Sequence, residues 1–230
     1  MPALTLAAGP PAPDGLVPAV VHPASPDTGG GAVSLLPTHG AGGDLAGAAL
    51  AALARGVAAG GHTVVRFTMA YRHAGRASPP LAEKSVPGYR AAFEDAQRQL
   101  GGGRWAAGGK SYGGRVASLA VAAGMPVAGL VFYGYPLHAP GKPDALRVDH
   151  WPGITVPCLF LQGSQDPFCT LDLLRSHLPE LGGPATLHVV DGGDHSLQVR
   201  AKDAPDGKAH AAPEVLAGLG ALVARWLDGL

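Results

Sequence analysis

Short apolar runs alternate along this chain with longer Ala- and Leu-rich stretches at helical spacing. The runs at 32–36, 63–68, 105–108, 127–133, 156–162 and 185–190 are continuous rather than alternating and are bounded by Gly, Pro or polar residues, which predicts strands buried on both faces. The stretches at 45–59, 88–100, 114–123, 171–181 and 213–227 repeat their apolar residues at helical spacing and predict helices. A buried strand followed each time by a helix requires a parallel sheet, because only a crossover returns the chain to start a parallel neighbour. The expected class is α/β, a mostly parallel, doubly wound sheet with helices on both faces. Two further apolar pieces, 4–8 and 16–21, lie among Pro-rich segments and predict edge strands or an arm, so 1–31 is expected to extend the domain formed by 32–230. Pro37 has no N–H to give a ladder, so the first regular strand is expected to end at Leu36, with Thr38-His39-Gly40 already in a loop.

Composition narrows the function. A chain of 230 residues, 47% hydrophobic, suits one globular unit. Its 35 glycines and 22 prolines approach a low-complexity share, but the compact apolar runs argue against disorder of the whole chain. The 17 basic residues balance the 17 acidic ones with no basic stripe, which gives a nucleic-acid partner no electrostatic support. No apolar run is long enough for a membrane span, and the start MPALTLAAGPPAP lacks the basic region of a secretory signal, so the expected location is cytoplasmic, off the membrane. Two cysteines, Cys158 and Cys169, are too few for a disulfide framework or a thiolate zinc site, and they read as packing residues. No metal or organic cofactor is expected.

Four short segments carry chemistry. Gly109-Lys110-Ser111-Tyr112-Gly113 fits G-x-S-x-G between a predicted strand and a predicted helix, the context in which a tight turn holds a serine hydroxyl out of the sheet edge. In isolation it could equally be a Gly-rich connection. Its Gly-Lys-Ser also resembles the end of a phosphate-binding P-loop, but that pattern needs a glycine where Arg104 stands. Asp166 lies where another strand runs into Gln162-Gly163-Ser164-Gln165-Asp166-Pro167, and His195 follows the last predicted strand in Gly192-Gly193-Asp194-His195-Ser196. Taken singly, these are an ordinary turn aspartate and a solvated loop histidine. All three residues nevertheless fall at carboxyl ends of parallel strands, where open α/β sheets form their sites, in the order Ser111, Asp166, His195. In that arrangement His195 is a general base for Ser111, and Asp166 orients the imidazole. Asp191 and Asp194 read as loop structure. His39-Gly40-Ala41-Gly42-Gly43 follows the first regular strand; beside Ser111 its Ala41 amide would pair with that of Tyr112 as an oxyanion hole, and without Ser111 it would read as punctuation or a phosphate loop.

With those segments in hand, the chain resembles small α/β-hydrolases related to dienelactone hydrolase, in the branch containing the testis-expressed hydrolase-like protein and the non-specific-lethal complex regulatory subunit. The resemblance runs from about Ala32 to the end, through HGAG (39–42), VVRFTMAYRHAGR (64–76), GGKSYGGRVAS (108–118), GLVFYGYPLHAPGKPDALR (129–147), LQGSQDPF (161–168) and GDHSL (193–197). Tyr112 stands where the family usually has methionine. The resemblance implies the α/β-hydrolase fold and a serine hydrolase acting on a small ester-type substrate through an acyl-enzyme. The alternatives are a non-catalytic scaffold, which some relatives resemble, or an acyltransferase or peptidase using the same triad. His39, Tyr135, His138, Lys142, Arg147 and His150 are candidate pocket residues, a polar surface loop being the plainer reading of the last five. The interval 136–155, braced by Pro136, Pro140, Pro143 and Pro152, leaves room for at most one short helix near 144–148 and hence a minimal cap. A monomer or weak homodimer is expected.

Overall fold

The computed structural model describes residues 2–26 and 33–230. Among the described residues, eight strands form one sheet in the order β1-β2-β4-β3-β5-β6-β7-β8. They are β1 (Ala3–Ala7), β2 (Leu16–His22), β3 (Val33–Thr38), β4 (Val64–Phe67), β5 (Arg104–Lys110), β6 (Leu130–Tyr133), β7 (Cys158–Gly163) and β8 (Ala185–Val190). The pairs β1–β2 and β2–β4 are antiparallel, and every other pair is parallel. The helices are α1 (Ala48–Ala59), the single turn α2 (Ala70–His73), α3 (Val86–Leu100), α4 (Tyr112–Ala122), α5 (Leu171–His177) and α6 (Ala212–Asp228). Among the described residues no helix is long and apolar enough to cross a membrane.

The continuous apolar runs are explained by burial on both sides. Along β6, Leu130 and Phe132 face the core layer under α3, α4 and α5, while Val131 and Tyr133 face the layer under α1 and α6. Cys158 and Phe160 alternate with Leu159 and Leu161 in the same way on β7. A strand with helices over both faces has no water-facing side for a polar residue to occupy. The N-terminal pieces pair with each other and, through β2, with β4. From α3, Asp95 accepts the Ala7 amide at 2.7 Å, and Gln99 donates to the Thr5 carbonyl at 2.9 Å, tying β1 to the body.

Three expectations change. The first regular strand does not stop at Leu36; β3 continues through Pro37, which lies opposite Gly108 of β5, to Thr38. Leu35 donates to Thr63 on the β4 side, so by alternation the missing Pro37 donor faces β4 too, where the ladder is interrupted between Leu35↔Val64 and Thr38↔Phe67. The proline therefore costs one bond of the β3–β4 ladder and leaves the pairing of β3 with β5 continuous. Ala32, the expected start of that strand, lies outside the described residues. The second change is in 136–155, where the short helical turn is Trp151–Gly153 rather than 144–148, because the buried Trp151 anchors there against Tyr135 and Phe160. The third is the length of α5, which gives way to a 3-10 turn at Leu178–Glu180 when Pro179 enters.

Between β2 and β4, His22 accepts a hydrogen bond from Arg66 Nε at 3.0 Å. Burial, reinforced by the Arg66 guanidinium, pushes the His22 pKa down from 6.5 to about 4. Between those two values the unfolded chain binds a proton that the fold excludes, so stability is lost as pH falls through this window. Urea unfolding at neutral pH and at pH about 5 should show a smaller stability difference for His22→Gln than for the wild type. An unchanged difference would locate the acid sensitivity elsewhere.

Candidate active site

Ser111 joins β5 to α4 with φ 47° and ψ −113°, a left-handed conformation that side-chain-bearing residues rarely adopt. The turn exists because its neighbours have no side chain. A Cβ on Gly109 would sit 2.5 Å from the Thr38 carbonyl oxygen, and one on Gly113 would sit 2.5 Å from that of His39. Strand, helix and the β3 loop thus close around the serine, whose amide donates to the Tyr133 carbonyl at 2.9 Å.

The hydroxyl faces a chain of polar groups. Ser111 Oγ lies 2.8 Å from His195 Nε2, and His195 Nδ1 lies 2.8 Å from Asp166 Oδ2. An ionised carboxylate only accepts, so the imidazole proton sits on Nδ1 and leaves Nε2 as the acceptor for the serine proton. Asp166 also accepts from Gln162 Nε2 at 2.6 Å and from the Phe168 amide at 2.8 Å, which compensates its buried charge. The Phe168 ring lies against His195 with centroids 4.3 Å apart. Asp194 stays in the loop: its Oδ1 accepts the amides of Ser196 and Gln198.

Beside this chain lies the loop after β3. His39 accepts the Met69 amide at Nε2 (3.0 Å) and donates from Nδ1 to the Gly40 carbonyl (2.7 Å). Burial lowers its pKa, in keeping with a neutral ring that uses both nitrogens on backbone. The Tyr71 hydroxyl donates to the Ala41 carbonyl at 2.6 Å. Tyr112 turns its side chain away, its hydroxyl pairing with Ser85 and with the Pro80 carbonyl, so only its backbone borders Ser111. The Ala41 amide has no acceptor among the described residues, and the Tyr112 amide occupies the first position of α4, where a helix supplies none. All this borders a cleft of about 610 Å³ lined by Gly40, Ala41, Lys110, Ser111, Phe168 and His195, among others.

Of the six candidate pocket residues, only His39 lines the cleft, and its ring nitrogens are committed to backbone. The other five do not line it. Tyr135 is buried with its hydroxyl bonded to the Arg147 carbonyl and to Trp151. His138 is tied to Thr170 and Ala139, Arg147 donates to the Pro136 carbonyl, and His150 pairs with Ser118 at 2.7 Å. Lys142 is exposed in a tight turn. The segment folds back onto the sheet because Tyr135 and Trp151 stack with Phe160, which draws its polar residues away from the serine. Sequence reasoning missed Gln162, Phe168, Tyr71, Tyr133 and Lys110. Lys110 lies inside the serine motif, and Gln162 and Phe168 lie in the segment around Asp166, but no pattern in those segments assigned them a role.

The sheet order, the strained serine turn and the residues at the strand ends define an α/β-hydrolase fold. Residues 31–217 match the alpha/beta hydrolase domain family, and the chain belongs to it. Among solved structures it is similar to an alpha-beta serine hydrolase homologue from Coxiella burnetii (16% identity, TM-score 0.71, covering 98% of this chain and 97% of that one). It is also similar to a member of the α/β serine hydrolases without lid from Xanthomonas campestris (20% identity, TM-score 0.66, covering 98% and 94%). A third is dienelactone hydrolase from Anabaena variabilis (15% identity, TM-score 0.69, covering 99% and 97%).

Both cysteines are buried and free. Burial pushes each thiol up to about 12, with the Asp166 charge adding to the effect at Cys169. At mildly alkaline pH neither should be a thiolate, so Ellman's reagent should titrate neither in the native protein and both after unfolding. Rapid reaction of one native thiol would contradict this.

Proposed function

We propose that this protein is a serine hydrolase that cleaves a small carboxylic ester or related acyl bond through an acyl-enzyme. The observation that carries the reading is the hydrogen-bonded chain Ser111–His195–Asp166 at the wall of an open cleft, beside two amides that have no acceptor among the described residues. In this reading Ser111 Oγ attacks the substrate carbonyl carbon while its proton passes to His195 Nε2. Asp166 stabilises the imidazolium, and the Ala41 and Tyr112 amides hold the oxygen that becomes negative, each such donor contributing about 2.7 to 4 kcal/mol. Collapse breaks the bond to the leaving group, which takes the proton back from His195. Water then repeats the sequence on the acyl-serine and releases the acid. None of these steps draws on a metal or organic cofactor. The motif GYPLH-x-PGKP at 134–143 supports placing the chain in the dienelactone-hydrolase-related branch with the testis-expressed and non-specific-lethal proteins. We further infer a cytoplasmic protein, monomeric or weakly dimeric, acting on a small molecule.

A fluorophosphonate should label the wild type and leave Ser111→Ala unlabelled. Ser111→Ala and His195→Ala should each lower ester turnover by about four to six orders of magnitude, because such residues act as a unit. Labelling that survives in Ser111→Ala, or a variant keeping a tenth of the activity, would remove the assignment and favour a binding scaffold.

The segment between β6 and β7 folds back on the sheet and leaves the cleft without a closing element, so long acyl chains find little apolar wall. Nitrophenyl acetate or butyrate should turn over faster than decanoate or palmitate, with no activation at a lipid–water interface. Specificity rising steadily with chain length, by about 0.8 kcal/mol per methylene, would instead reveal a deep channel.

A further inference from the structure

His195 is carried by the loop after β8, the outermost strand, which has a neighbour on one side only, whereas Ser111 stands at the end of β5 in the middle of the sheet. A 2.8 Å contact between the two therefore spans two intervening strands. If the loop were placed only through β8, every shift of that edge strand would reach the imidazole. Two side chains provide a shorter route. Lys110, the residue before Ser111, donates from Nζ to the His195 carbonyl at 3.1 Å. Tyr133, at the end of β6, donates from its hydroxyl to the next carbonyl, that of Ser196, at 2.8 Å. The two also support each other, with Lys110 Nζ lying 5.0 Å from the centre of the Tyr133 ring. The Tyr133 carbonyl in turn accepts the Ser111 amide.

The surroundings show that this placement is specific. The Lys110 stem passes along Gly40, where a Cβ would touch its Cγ and Cδ at 3.5 Å. A Cβ on Gly134 would come within 2.7 Å of the same His195 carbonyl oxygen, so the residue after Tyr133 is one that lets the loop approach. Lys110 forms no ion pair among the described residues; Asp166 and Asp194 act on it only through space. A half-buried ammonium with no carboxylate in contact is costly, and burial lowers its pKa. What it gains in return is a backbone carbonyl of the loop that carries the histidine.

We propose that Lys110, with Tyr133 beside it, is a positioning residue that fixes His195 against Ser111 by clamping the carbonyls of His195 and Ser196 to the central strands. The proposal rests on the hydrolase reading above, and its test separates the two. Lys110→Met keeps the stem's bulk and removes the donors and the charge. With nitrophenyl acetate it should lower kcat by about ten- to a hundredfold, the cost of a small misplacement of a catalytic group, while KM stays within about twofold. Tyr133→Phe should lower kcat in the same direction by less. In a His195→Ala background, Lys110→Met should cause no further loss, because a residue that acts through the imidazole has nothing left to position. Independently of turnover, amide exchange across 194–198 should quicken in Lys110→Met while the thermal midpoint and the exchange of β5 stay close to the wild type.

An equal loss in the His195→Ala background, a change confined to KM, or unaltered exchange across 194–198 would overturn the proposal; the KM result would make Lys110 a substrate-binding group instead. A wild type that neither takes fluorophosphonate nor turns over an ester would sink the hydrolase reading alone, and the exchange measurement would still decide whether the clamp exists.

Discussion

The close approach of β5, α4 and the loop after β3 at one strained residue is the constraint on which the remainder of the site depends. A side-chain-bearing residue in the left-handed region costs about 1–3 kcal/mol, and the fold sustains it by over-determining the backbone around it. The Ser111 amide is held by Tyr133, its carbonyl accepts the Arg115 amide, and Gly109 and Gly113 admit carbonyls where a Cβ could not fit. Leu197, in the histidine loop and fully buried, is also left-handed at φ 61°. Two of the three non-glycine residues with positive φ among those described therefore sit in the serine turn and the histidine loop, the third being Asp14. The strain is local and coincides with the chemistry.

Around that turn, polar groups are committed according to what each must leave free. Asp166 takes a side-chain amide and a backbone N–H besides the imidazole, which lets a buried carboxylate stay in place without a cationic partner in contact. His39 spends both nitrogens on backbone, and Tyr71 spends its hydroxyl on the Ala41 carbonyl, so the loop after β3 is held from behind. Among the described residues the Ala41 and Tyr112 amides are left without an acceptor. A site whose donors are already oriented needs little reorganisation when charge develops beside it.

The same economy explains the open cleft. The polar residues between β6 and β7 are drawn into a structure of their own by the aromatic stack of Tyr135, Trp151 and Phe160. Those rings are buried on the sheet, and aromatic side chains contribute the largest apolar areas available to the loop.

Local pattern alone determined a good deal of this protein. Strands buried on both faces, helices at regular intervals and a serine between two glycines at a strand-to-helix junction are written in short stretches, because burial periodicity and steric freedom are properties of neighbouring residues. The order Ser111, Asp166, His195 could be read for the same reason, each residue closing its own apolar run. Only the tertiary structure decided what depends on residues far apart in the chain. Pro37 stays inside β3 because the pairing with β5 runs unbroken through it and the lost bond falls on the β4 side alone, which no inspection of Pro37 reveals. Tyr135, His138 and Arg147 looked like pocket residues by position, yet Tyr135 stacks on Phe160 of the next strand, His138 is bonded to Thr170 and Arg147 to the Pro136 carbonyl. Tyr133 and Lys110 matter because they reach Ser196 and His195 across the sheet, and Gln162 because its other amide atom accepts the Tyr135 N–H from the neighbouring segment. Hydrogen bonds between distant segments are set by strand order and register, which the one-dimensional pattern does not contain.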